Sequence, residues 1–202
     1  MKNIDLSDKI KNILSGNKWY HATTKSNYEN ILDKGIIVDY NRKRELDFGY
    51  GFYLTTTEKL AESYITRLYT NNISDDIPVI LEYNFHPISW FLDEKYNCAV
   101  FASFDDEFAK FVFNNRLNYQ NGILRHNYDA IYGVMSDSTP TVLMYNYRAG
   151  DIDFNSVIAA LKKGNSMKQL SLHNQELCDS IILTRAYEYD VVTKGRKELW
   201  NQ

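Results

Sequence analysis

Cysteine is scarce in this chain: among 202 residues only Cys98 and Cys178 carry a thiol, and they lie far apart without CxxC spacing. Two such isolated residues support no disulfide framework. Long apolar runs are missing as well. No segment approaches the roughly 20 apolar residues that a membrane helix requires, so no membrane association is expected. The opening MKNIDLSDKI has no apolar stretch of the kind secretion signals use, and a cytoplasmic location is the expectation. Basic excess is absent too. With a net charge of −3, a polyanion would have to meet a local basic patch. His86, His126 and His173 have no Cys or acidic neighbours in a ligand pattern, so no metal is expected. Ser136 and Ser171 lack a G-x-S-x-G context, and Gly49-x-Gly51 is too short for a dinucleotide fingerprint, so neither serine-hydrolase nor Rossmann chemistry is supported. No internal repeat, linker or low-complexity tract divides the chain. One domain over residues 1–202, with its core at about 18–190, is predicted.

What is present is a 44% apolar composition with 16 tyrosines and 10 phenylalanines, enough for one sizeable core. Such aromatics fill strands and cores, and their faces also suit stacking on planar ligands. Helical spacing of Leu6, Ile10, Ile13 and Leu14 predicts a first helix over 5–14. Residues 19–23 read as a strand. Ser26 with Glu29 offers a capping box for a helix that Gly35 ends, followed by a further strand. Residues 39–50 read as a mobile, basic loop holding Arg42, Lys43 and Arg44, and it leads into a short glycine-flanked strand at 51–54. Thr57 and Glu58 open a helix with Leu60, Ala61, Tyr64, Ile65 and Leu68 at helical spacing. A strand at 78–85 and a helix at 105–117 follow. Strands at 128–135 and 141–147 suggest a hairpin turning at Pro140. A helix at 153–163 closed by Gly164, a strand at 167–172, a short helix and a strand at 185–192 complete the reading. Short strands separated by helices without strict alternation predict an α+β fold rather than a doubly wound parallel sheet.

Three places carry chemistry. His21 sits at a strand end before Ala22, Thr23 and Thr24. Phe48-Gly49-Tyr50-Gly51-Phe52-Tyr53 wraps two glycines round an aromatic strand, where backbone can approach a ligand closely. Tyr64 lies eleven residues beyond Tyr53. Taken singly, each also has a plain structural reading: a core histidine, a relieved turn, a residue of the Leu60-Tyr64-Leu68 stripe.

Together, this spacing resembles the histidine-tyrosine class of ADP-ribosyltransferases, which includes the poly(ADP-ribose) polymerases and the diphtheria-toxin-like enzymes. The likeness implies a split β-sandwich with flanking helices and NAD as co-substrate. It implies that His21 bonds the nicotinamide ribose, that Tyr53 and Tyr64 cover the two nicotinamide faces, and that Ala22 and Thr23 bond its amide. Gly51 would let the backbone approach the ligand, and Arg42, Lys43, Arg44 or Arg125 would meet the pyrophosphate. Ala22 departs from the glycine common at its position. The chain also resembles a bacterial ADP-ribosyltransferase-like family of unknown function, often encoded beside a small partner protein, in YDAIYGVMSD at 128–137 and QLSLHN at 169–174.

The third catalytic position of the class is a glutamate at the start of a late strand, and here that strand begins with Gln169. Glutamine can hold a ribose hydroxyl but places no negative charge beside a developing cation, which fits single transfer better than polymer synthesis. Gln169 also reads as a polar residue on a half-buried strand, and Asp137 and Glu176 are the alternative carboxylates. The resemblance thus implies a mono-ADP-ribosyltransferase acting on a protein or nucleic-acid acceptor. Its alternatives are an NAD glycohydrolase and a catalytically weak NAD-binding or partner-interaction module. The family likeness also implies a toxin setting with a small cognate antitoxin.

Overall fold

A computed structural model describes residues 6–70, 75–136 and 140–201. Its centre is an eight-stranded sheet, formed by β1 (Lys18–Thr24), β2 (Phe52–Thr55), β3 (Pro78–Asn84), β4 (Cys98–Phe101), β5 (Ala130–Ser136), β6 (Gly164–Leu172), β7 (Ile182–Tyr189) and β8 (Arg196–Asn201). The strand order is β4-β5-β6-β2-β1-β3-β7-β8. Among the described residues only β4 and β5 pair in parallel; the other pairings are antiparallel, and the sheet is not doubly wound.

Period-two alternation sorts the side chains of the central strands. Phe52, Leu54, Leu170 and Leu172 join Trp19, Leu81 and Tyr83 in the main core. Their neighbours Tyr53, Thr55, Gln169 and Ser171 therefore share the opposite face, as the pairs Tyr53↔Ser171 and Thr55↔Gln169 require. On the main-core side, α1 (Asp8–Leu14) contributes Ile10 and Leu14, and α2 (Lys25–Lys34) contributes Tyr28. On the opposite face, α3 (Glu58–Thr70) packs Ala61 and Ile65 against Ile80 and Tyr187. The other wing is covered by α5 (Asp106–Leu117), α6 (Pro140–Ala149) and α7 (Phe154–Leu161), which follow α4 (Ile88–Leu92) and enclose a second core of Phe48, Phe101, Phe108, Ile131 and Met144. A last helix, α8 (Gln175–Ser180), links β6 to β7.

Several expectations are corrected. Residues 141–147 are not the second strand of a hairpin but lie in α6. Pro140 occupies its first turn, where the missing N–H is no loss, and Met144 is buried with Leu143 and Tyr147 packed beside it at helical spacing. The cap of α2 is Thr24, whose hydroxyl accepts from Asn27 N–H at 3.4 Å; Ser26 instead bonds Asp76. Gly35 does end that helix, at φ 74°, but residues 36–38 form no strand. Gly164 opens β6 rather than closing α7. α4, β4 and β8 have no counterpart among the expected elements.

Candidate functional site

The two halves of the sheet meet weakly. β1 pairs with β3 over seven residues, from Lys18↔Asn84 to Thr24↔Pro78, but with β2 only at Tyr20↔Thr55. Beyond that point a side chain replaces the ladder: His21 Nδ1 lies 2.7 Å from the Tyr53 carbonyl oxygen. A carbonyl only accepts, so Nδ1 carries the proton and Nε2 is left as an acceptor. No bond to Nε2 is formed among the described residues. Burial lowers the His21 pKa to about 4, outweighing the carbonyl bond that favours protonation, so the ring is neutral near pH 7. Phe52 stacks on it with centroids 4.3 Å apart.

A cleft of about 650 Å³ opens between β1 and β2, within the range of small-molecule sites. His21, Ala22, Thr23, Gly51, Tyr53, Tyr64, Arg44 and Gln169 all line it. Tyr53 is fixed at both ends of its hydroxyl, donating to Gly49 O at 2.6 Å and accepting from Phe48 N–H at 3.2 Å. Tyr64 is 37% exposed, with its Leu60-Leu68 stripe turned only partly inward; Ala61 and Ile65 form the buried face of α3. Burial raises the pKa of both tyrosines, which therefore stay neutral.

The turn before β2 is tied to its surroundings, because each of its four carbonyls accepts a side-chain donor. His126 Nε2–H reaches Phe48 O at 2.8 Å, Tyr53 takes Gly49 O, and His173 Nδ1–H reaches Tyr50 O at 2.7 Å. Asn41 brackets Gly51, bonding its O and N–H at 2.9 Å each. His173 Nε2 in turn accepts from the Ser171 hydroxyl at 2.8 Å. Burial, with His126 as the next cause, lowers the His173 pKa to about 3, and burial lowers that of His126. His126 and His173, 47 residues apart in the chain, thus meet with ring centroids 4.6 Å apart as structural clamps.

Not every expected residue reaches the cleft. Arg42 pairs with Asp39 at 2.6 Å and sits over the Tyr50 ring, Arg125 bonds Asn118, and neither lines the cleft, nor does Lys43. Glu176 bonds Lys95 and Tyr96 at the surface. Asp137 lies outside the described residues. Three residues that sequence reasoning missed do line it: Arg67, Asp47 and Arg116. Arg67 follows Tyr64 by three positions on α3, a spacing that places it on the same face and is visible in the sequence. Neither Arg44 nor Arg67 has an ion-pair partner among the described residues. Asp47 and Arg116 pair at 2.6 Å across 69 positions of sequence, and Glu45 links Arg116 at 3.2 Å to Arg148 at 3.1 Å.

Fold and site together define a mixed α/β domain whose central sheet opens into a cleft lined by histidine and tyrosine. The chain belongs to the family described as protein of unknown function (DUF3990), which matches residues 19–182 and so spans every cleft residue named above. It matches no curated protein and no solved structure. No helix among the described residues is long and apolar enough to cross a membrane.

Proposed function

We propose that the cleft takes NAD⁺ and that the protein is an NAD-dependent mono-ADP-ribosyltransferase. The observation that carries this reading is the convergence of His21, Tyr53, Tyr64 and Gln169 from β1, β2, α3 and β6 on one cleft. In this reading the weak β1–β2 junction is the parting of a split β-sandwich. Tyr53 and Tyr64 flank the nicotinamide, and Ala22 and Thr23 bond its amide. His21 Nε2 accepts a ribose hydroxyl, and Gln169 holds the other side of that ribose. Arg44 and Arg67, two cleft cations without ion-pair partners among the described residues, take the pyrophosphate.

The reaction breaks the bond between the ribose anomeric carbon and the nicotinamide nitrogen. The electron pair leaves with nicotinamide, which departs neutral. An oxygen or nitrogen of the acceptor, protein or nucleic acid, bonds the same carbon and yields its proton to solvent. Holding the ribose and ring in reactive geometry is the main contribution of the residues present, with a smaller electrostatic share because Gln169 is uncharged.

Incubation of the purified protein with labelled NAD⁺ tests the reading. Free nicotinamide with labelled macromolecule supports transfer. Free nicotinamide with free ADP-ribose replaces transfer by glycohydrolysis. Release of nicotinamide at the same rate from His21→Ala and Tyr53→Ala would remove both.

A further inference from the structure

Asp47 is 5% exposed, and donors enclose its carboxylate. Arg116 approaches Oδ1 through Nε at 2.8 Å and Nη2 at 2.6 Å. Ser136 donates its backbone N–H to Oδ2 at 3.0 Å, with its hydroxyl 2.6 Å from the same oxygen. A further neighbour is Gln169, whose Nε2 lies 3.4 Å from Oδ2. A carboxylate only accepts, so the Gln169 amide turns its NH₂ to Asp47, and its carbonyl oxygen has no hydrogen-bond partner among the described residues. Gln169 is 6% exposed, and the surface it does present belongs to the cleft. Arg116 does not neutralise Asp47 alone, because it also bonds Glu45 at 3.2 Å.

The geometry points to Asp47 as a positioning residue of the ribose site: it locks the Gln169 amide with the carbonyl oxygen as acceptor for a ribose hydroxyl. This inference rests on the NAD-cleaving reading. A hydrogen bond from the amide to a charged acceptor also polarises the amide, raising electron density on the outward oxygen. Asp47 and Gln169 then share the work that one glutamate does in the resembling enzymes, with the charge one amide further from the ribose. Restoring glutamate at position 169 sets two carboxylates side by side, and one of them must hold a proton. Gln169→Glu is therefore a loss while Asp47 is present and a recovery in the Asp47→Asn background.

Four full-length proteins test this: wild type, Asp47→Asn, Gln169→Glu and the double variant. Nicotinamide release at pH 7 is expected to fall about 10-fold to 100-fold in each single variant, the loss typical of a removed supporting residue. The double variant is expected to regain at least about tenfold over either single variant, a coupling that contacting residues show and independent ones do not. Carbon-13 carboxyl spectra report the pairing without any turnover. The glutamate introduced at position 169 should titrate at least about one pH unit higher in Gln169→Glu than in the double variant. A merely structural Asp47 predicts equal losses in both backgrounds, and a double variant no better than its parents overturns the proposal. So does an introduced carboxyl that titrates alike in the two backgrounds. A titration shift without nicotinamide release from wild type would overturn the NAD-cleaving reading while upholding the pairing of position 169 with Asp47.

Discussion

Lowering the pH from 7 to 5 should destabilise this fold through histidines that are folded in as neutral rings. The pKa of His21 is lowered to about 4 and that of His173 to about 3, in both cases chiefly by burial. An unfolded histidine titrates at about 6.5. Between that value and the folded ones, the unfolded chain binds protons that the native chain refuses. Stability is therefore full above about pH 6.5, falls as the pH drops, and levels off only below the folded values. At pH 5 the unfolded ring is almost fully charged, which costs about 2 kcal/mol per histidine relative to pH 7. Two such rings cost about 4 kcal/mol, a large share of the ~5–15 kcal/mol that holds a typical domain. Carboxylates add little in this window. Those with shifts, including Asp105, Asp153 and Glu188, are displaced downward, so their contribution is lost only at lower pH. Urea unfolding at pH 7, 6 and 5 measures the slope. His173→Gln should be less stable at pH 7, having lost the bonds to Tyr50 O and Ser171, yet less sensitive to acid by about one proton. Equal wild-type stability at pH 5 and 7, or an unchanged slope in His173→Gln, would refute the reasoning.

Three further outcomes are expected. Gly51→Ala places a Cβ 2.6 Å from Leu172 O and 2.7 Å from His173 Nδ1, so β2 and β6 must part; thermal melts should show a loss of about 1–3 kcal/mol, and an unchanged melt contradicts the close packing. Arg116→Met leaves Asp47 and Glu45 buried without their shared cation and should cost about 3–5 kcal/mol in denaturant unfolding. If the toxin reading holds, the wild-type gene cannot be established in a bacterium without its neighbouring gene while the Tyr53→Ala gene can; equal establishment of the two removes that reading.

Much of the sheet is legible in the sequence because burial imposes a period on its strands. The apolar run of β3 and the alternation of β6 are both plain, and the capping aspartates Asp105 and Asp153 mark the starts of α5 and α7. α6 reads as a strand because its Thr, Val and Tyr residues have β propensity, and only packing of Met144 in the second core decides the helix. β8 is a polar edge strand, whose pairing with β7 leaves no apolar alternation to read. The candidate site divides in the same way. His21 lies 32 residues before Tyr53, but the glycine-flanked strand and the eleven-residue interval from Tyr53 to Tyr64 mark the grouping along the chain. Asp47 in a polar loop and Arg116 in a helix are joined only by the fold, and neither residue type announces a partner 69 positions away. The histidine clamp on the turn at 48–51 is hidden for the same reason.

The proposed activity is cleavage of NAD⁺ in the cleft between β1 and β2. Chromatographic measurement of nicotinamide released by the purified protein tests it most directly. Wild type should release nicotinamide in proportion to enzyme and time, with His21→Ala and Tyr53→Ala each slower by at least about 100-fold, the usual scale for removing a group that acts on the transition state. Wild-type release no faster than that of the two variants would contradict the account.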